Sequence, residues 1–145
     1  MLKLIGRSSM SALADLAAVP ADLVSTMWPR VSPLLRAAYL RTDLSHTEEL
    51  AADVLFGRAV LWVAMRGGAI EAAAVTKLDR TDRHLVCVIT ACGGGNMAGW
   101  LGHLAVIEHW ARGEGCAKVR VFGRKGWVRK LKDYHVSNVV LERGL

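Results

Sequence analysis

Three glycines in a row, Gly93-Gly94-Gly95, followed by Asn96 and an apolar-periodic stretch, are the residues of this chain that most directly suggest chemistry. A glycine turn that opens a helix offers unpaired backbone N–H groups at the positive end of the helix, a setting that holds anions. The second group is a cluster of charge. Between Arg112 and Lys132 stand eight basic residues (Arg112, Lys118, Arg120, Arg124, Lys125, Arg129, Lys130, Lys132) against one acid, Glu114. Arg124, Lys125, Arg129 and Lys130 surround Trp127, and positive charge around an aromatic suits an acidic protein surface or a phosphate backbone. These five are the candidate partner-binding residues.

Other reactive side chains form no constellation. Cys87, Cys92 and Cys116 lack metal spacing, and an odd count gives no disulfide framework. Five residues apart in an extended strand, Cys87 and Cys92 are expected on opposite faces. His103 and His109 are six apart and do not share a helix face, so they are not a metal pair. No metal site is expected, and no Ser/His/Asp or Cys/His arrangement can be read, so the catalytic residues stay unassigned.

The elements that must position the glycine turn read as strand, turn, helix, turn, strand. His84 to Cys92 is a β-branched apolar run with too little alternation to be half exposed, which predicts a buried central strand ended by Gly93. Asn96 is the expected N-cap of a helix from Met97 to Arg112, with Trp100, Leu101, Leu104 and Ile107 at helical spacing. Gly113-Glu114-Gly115 closes it, and Cys116 to Phe122 is the next strand. A unit of this length favours a parallel pair with a right-handed crossover.

Along the rest of the chain, Ser8 to Ala18 reads as a short helix or flexible lead. A helical segment starts at Pro20 and is interrupted at Trp28-Pro29, and Val31 to Leu40 is amphipathic. Ser45 and Glu48 have capping-box spacing for a helix from His46 to Phe56. Ala59 to Met65 and Ile70 to Leu78 are strands joined by a hairpin at Arg66-Gly67-Gly68-Ala69. Asp79 to Arg83 is a charged loop, Trp127 to Asp133 a short basic helix, and Ser137 to Glu142 a final strand.

Composition bounds the answer. The 145 residues are 52% apolar with a formal net charge of +6, which marks one packed domain and excludes a disordered chain. Residues 1–18 are read as a lead and 19–145 as the domain. Asp15 breaks the apolar character of the N-terminal stretch, so no signal peptide is expected, and no run is long enough for a membrane span. A cytoplasmic protein with reduced thiols and no membrane partner is the expectation.

The element order is two helices, an antiparallel pair, the central strand, a helix, a strand, a short helix and a last strand. That order resembles the GNAT superfamily of acyl-CoA N-acyltransferases from about Val19 to Leu145. The resemblance implies an α+β fold with a mixed sheet, in which acyl-CoA enters between the central strand and its parallel neighbour. It would put the pyrophosphate on Gly94, Gly95, Asn96, Met97 and Ala98, with acetyl-CoA as the implied cofactor. Ala98 matches the last position of the family's Gln/Arg-x-x-Gly-x-Gly/Ala loop. Gly93 and Asn96 replace its Gln/Arg and its first glycine. The family's tyrosine acid would fall at Arg129, and Tyr134 matches a packing aromatic instead.

A narrower resemblance lies in Gly123-Arg124-Lys125-Gly126-Trp127-Val128-Arg129 with Val139-Val140-Leu141-Glu142. These phrases are similar to small proteins encoded in tailed bacteriophages and prophages, some of them virion components. Together the departures and this resemblance lead to an expectation of a GNAT-like phage protein without efficient acetyl transfer and with no resident cofactor. It would lie in the host cytoplasm or the virion and bind phage or host proteins, with oligomerisation open. The alternatives are an acyl-CoA-dependent N-acyltransferase with an atypical loop, and a basic protein bound non-specifically to nucleic acid.

Overall fold

In the computed structural model the described residues are 15–41, 43, 49–95 and 99–145. Five strands form one sheet in the order of the chain: β1 Leu16–Ala18, β2 Val60–Arg66, β3 Ala69–Arg80, β4 Leu85–Gly94 and β5 Lys118–Val121. The first four run antiparallel to their neighbours, and β4 and β5 are parallel. Four helices cover the sheet: α1 Val24–Tyr39, α2 Leu50–Leu55, α3 Trp100–Gly113 and α4 Gly126–Lys130. The architecture is the expected mixed α+β sheet.

The alternation of β2 explains the two layers. Leu61 and Val63 face α1 and α2, where they pack with Val31, Leu35 and Val54. Trp62 and Ala64 face α3, with Trp100, Leu104 and Ile107. Burying side chains such as Leu35 and Ile107, both at 0% exposure, contributes roughly 1.5–3 kcal/mol each. The alanines of β3, poor strand formers, belong here for their size. Ala72 and Ala74 share a layer with Trp62 and Trp100, and small neighbours leave room for the indoles. Trp62 donates its Nε1–H to Thr76 Oγ1 at 2.9 Å, so this buried pair leaves no polar atom stranded. The β2–β3 hairpin turns at Gly67 and Gly68, with φ of 56° and 82°, as a type I′ turn requires.

Several sequence expectations fail for identifiable reasons. Residues 16–18 are a strand paired to Trp62–Ala64, so the sheet includes residues read as lead. α1 is not interrupted at Trp28-Pro29; it runs through Pro29 and Pro33. The two prolines are four apart on the exposed face, so the carbonyls they leave unpaired meet water. β4 does not end at Gly93. Gly93 and Gly94 pair with Ala73 and Ala72 as its last residues. The final strand over Ser137–Glu142 is absent: no helix or strand follows α4, and Val139, Val140 and Leu141 are exposed. A strand exists only where its backbone pairs with a neighbour, and among the described residues this segment forms no ladder with β5, the last strand of the sheet. The capping pair Ser45 and Glu48 lies outside the described residues.

Candidate functional site

The cleft beside the C-terminal half of β4 begins where the parallel ladder stops. β4 pairs with β5 only through Val86–Ile89 against Lys118–Val121. Beyond that point β4 continues to Gly94, the segment after β5 no longer pairs with it, and the cleft opens between the two. The floor is Thr90–Gly94, and the walls come from the end of α1, from Phe122–Arg124, and from Trp100 and Trp127. The open-sided cleft has a volume of about 170 Å³, below the roughly 300–1,000 Å³ of ordinary small-molecule sites.

A β-bulge shapes the floor. Val75 pairs with Ala91 and Thr76 with Ile89, so Thr90 is the extra residue. Its hydroxyl donates to the Val75 carbonyl at 3.3 Å. The insertion resets the alternation of β4. Cys87, Ile89 and Cys92 all pack on the α3 side, while Ala91 faces α1. Cys87 and Cys92 therefore share a face, contrary to the simple count of five. Both are free thiols. Burial pushes Cys87 up to about 12, with Cys116 adding to the rise and a hydrogen bond from Thr76 opposing it. Burial pushes Cys92 up to about 11 against the pull of the Arg124 charge. Both thiols are neutral near pH 7, so neither is the ready nucleophile that a thiolate would be.

The glycine run is explained largely by packing. A Cβ on Gly93 would lie 2.8 Å from the Leu34 carbonyl oxygen and 3.3 Å from Ala38 Cβ. Gly94 has φ +154°, and a Cβ there would lie 2.8 Å from the Glu71 carbonyl oxygen. Gly93 lets α1 approach β4, and Gly94 lets the end of β4 lie close against β3. A Cβ on Gly95 would meet nothing among the described residues beyond its chain neighbours. Of the five positions assigned to a cofactor from sequence, Gly94 is thus fitted to the sheet and Gly95 is open. Asn96, Met97 and Ala98 lie outside the described residues, as does the expected Asn96 N-cap; Gly99 flanks the first residue of α3. The described residues that would meet acetyl-CoA fit it in part: they supply a cleft in the right place but a narrow one, and the glycines next to it serve the protein's own packing.

Trp127 belongs to the cleft wall. Its ring centroid lies 6.4 Å from that of Trp100 at 77°, an edge-to-face contact, and Gly123 lies against it closely enough that a Cβ would be 2.8 Å from Trp127 Cδ1. The remaining partner-binding candidates, Arg124, Lys125, Arg129 and Lys130, are exposed on the adjoining loop and α4. Lys118 and Arg120 extend the charge along β5. Among the described residues the ion pairs are Arg58–Asp53, Arg66–Glu71 and Lys77–Asp53, and none involves a cation between Arg112 and Lys132.

The histidines and Tyr134 have local explanations. His103 is buried on α3, edge-to-face with Trp100 at 5.3 Å, and burial pushes its pKa down. His109 is exposed, so the two do share no face. Tyr134 donates its hydroxyl to Glu108 Oε2 at 2.7 Å, tying the segment after α4 to α3. Burial, then this bond, pushes its pKa up. Among the described residues no group of three His, Cys, Asp or Glu is placed to hold a metal, and no helix is long and apolar enough to cross a membrane. Sequence reading missed Arg41, Tyr39 and Cys92 as cleft residues. Nothing in their local pattern signals it, because the cleft exists only where β4 and β5 diverge.

No protein-family model matches the chain, and no curated protein matches it by sequence. Solved structures do match. An aminoglycoside acetyltransferase from an uncultured soil metagenomic sample, in complex with sisomicin, superposes with TM-score 0.65 at 12% identity, over 90% of this chain and 95% of that one. A predicted acetyltransferase from Clostridium acetobutylicum, with acetyl-CoA, gives 0.61 at 15% identity, over 90% and 95%. The aminoglycoside N-acetyltransferase AAC(6')-Iy in complex with CoA gives 0.60 at 13% identity, over 97% and 99%. The chain has the GNAT acyltransferase fold.

Proposed function

We propose that this protein works by contact, as a virion-associated structural or interaction protein of phage or prophage, and that it transfers acyl groups inefficiently. The observation that carries the reading is the basic edge formed by β5, the following loop and α4. Lys118, Arg120, Arg124, Lys125, Arg129 and Lys130 lie there with no ion-pair partner among the described residues. An uncompensated run of cations on one edge suits an acidic partner surface. The narrow cleft, and the glycines committed to packing beside it, support weak acyl-CoA binding. The phage setting rests on the likeness of the Gly123–Arg129 and Val139–Glu142 phrases to phage-encoded proteins.

The test is co-purification with virion or host proteins across a salt series, comparing the wild type with Lys125→Ser/Arg129→Ser/Lys130→Ser. Weaker association and a flatter salt dependence in the variant support the reading. Identical profiles overturn it. Nuclease treatment identifies the case in which the partner is nucleic acid, since the association then disappears.

A second reading, an acyl-CoA-dependent N-acyltransferase, is favoured by the position of the cleft between diverging parallel strands in a fold shared with acetyltransferases solved with acetyl-CoA and CoA. Saturable turnover of acetyl-CoA with an amine acceptor would establish it.

A further inference from the structure

Two arginines come to the cleft from different parts of the chain. Arg41 follows the C-terminal end of α1, and Arg124 lies on the loop after β5; both line the cleft and both are exposed. Neither takes part in an ion pair among the described residues. No aspartate, glutamate or histidine is among the described residues lining the cleft. The other polar lining groups are Tyr39, Thr90 and the thiol of Cys92, which burial keeps neutral near pH 7. Around them the walls are apolar and aromatic, including Trp100 and Trp127.

From this arrangement we infer that the cleft is a binding site for a single small anionic group, a carboxylate or a phosphate, clamped between Arg41 and Arg124. Guanidinium groups bind both anions through paired N–H donors, and the lack of any acid among the described lining residues leaves their charge uncompensated in the cleft. The volume of about 170 Å³ suits an end group rather than an extended ligand. The same field disfavours a polycation, since an amine-rich guest would meet two positive charges and no compensating acid. The inference deepens the contact reading: an acidic side chain or chain terminus of a partner can seat in the cleft while its surroundings meet the basic edge. It rests on that reading for the identity of the guest and is tested apart from it, because Arg41 lies outside the β5–α4 edge while Arg124 belongs to both.

The experiment titrates the full chain with glutarate, inorganic phosphate and putrescine, following backbone amide shifts of Thr90 to Gly94. Saturable shifts with glutarate or phosphate and none with putrescine are expected, and the tighter anion identifies the source. Arg41→Glu and Arg124→Glu are each expected to weaken that binding by roughly tenfold or more, as loss of a charge-assisted contact does. Lys125→Ser/Lys130→Ser, which alters the edge but not the cleft, is expected to leave it unchanged. Arg41→Lys, which keeps charge but not the paired donors, separates charge from geometry and guards against a folding defect. No saturable binding of either anion overturns the inference. So does equal weakening by the cleft and edge variants, which means general screening. A normal anion titration together with failed co-purification would instead sink the contact reading alone.

Discussion

Replacing Gly93 by alanine tests whether the glycine run exists for the protein's packing. The added Cβ would sit 2.8 Å from the Leu34 carbonyl oxygen and 3.3 Å from Ala38 Cβ, against an ordinary contact of about 3.5–4.0 Å between carbon atoms. The closest neighbour is backbone within a sixteen-residue helix, so it cannot rotate away. α1 must lift from β4, which loosens the layer containing Leu35 and Val63. Overpacking of this kind costs roughly 1–3 kcal/mol, or a fall of about 3–10 °C in Tm for a domain of this size. Gly95→Ala is the matched control. Apart from its chain neighbours, no described atom lies within 4 Å of its added Cβ, and its φ is outside the left-handed region. Its expected effect runs from nothing to a gain of roughly 1 kcal/mol. Urea unfolding followed by tryptophan fluorescence reads both variants. Equal stability of Gly93→Ala and Gly95→Ala would refute the packing explanation and return the glycines to a ligand-binding role.

Three further outcomes follow from buried and half-buried polar groups. Asp53 receives hydrogen bonds from Arg58 at 2.8 Å and Lys77 at 3.5 Å; Asp53→Asn should cost about 1–2 kcal/mol, moderated by the exposure of both cations. The Arg58 bond outweighs burial and holds the Asp53 pKa below its ordinary 3.8. Its contribution is therefore full above that value and lost as pH falls through the lower folded value, a slope that acid-unfolding curves of Asp53→Asn should lack. Trp62→Phe removes the donor to buried Thr76 and should cost about 1–3 kcal/mol in chemical denaturation. Burial and Glu108 raise the Tyr134 pKa, so its stabilisation is present below pH 10, the ordinary value, and is lost as pH rises further. Tyr134→Phe should remove that alkaline loss while lowering stability at neutral pH by about 1 kcal/mol.

How much of this was legible in the sequence differs from one part of the chain to another. The β4–α3–β5 unit was legible because each piece carries its own signal: a long apolar run, helical spacing of Trp100, Leu104 and Ile107, and a glycine stop. Its parallel pairing then follows from connection length. The hairpin was legible because two adjacent glycines admit the two positive φ angles it needs. β1 was not, since three residues carry no period of their own and acquire strand form only by pairing with β2. Pro29 and Pro33 read as breaks because their placement on one exposed face is a property of the packed helix. The bulge at Thr90 has no signature either, yet it decides which way Cys92 points and what the cleft floor presents. Val139-Val140-Leu141 has strand propensity, but it stays exposed and does not pair with β5, the last strand of the sheet. The basic edge was legible as a list of residues; its lack of carboxylate partners among the described residues needed the fold.

The most direct test of the claim that this GNAT-fold protein works by contact rather than by efficient acyl transfer is calorimetric titration of the full chain with acetyl-CoA. The narrow cleft and the packing-bound Gly93 and Gly94 lead us to expect no affinity better than tens of micromolar, on the order of 6 kcal/mol. A sub-micromolar dissociation constant would contradict the account and make the acyltransferase reading the correct one.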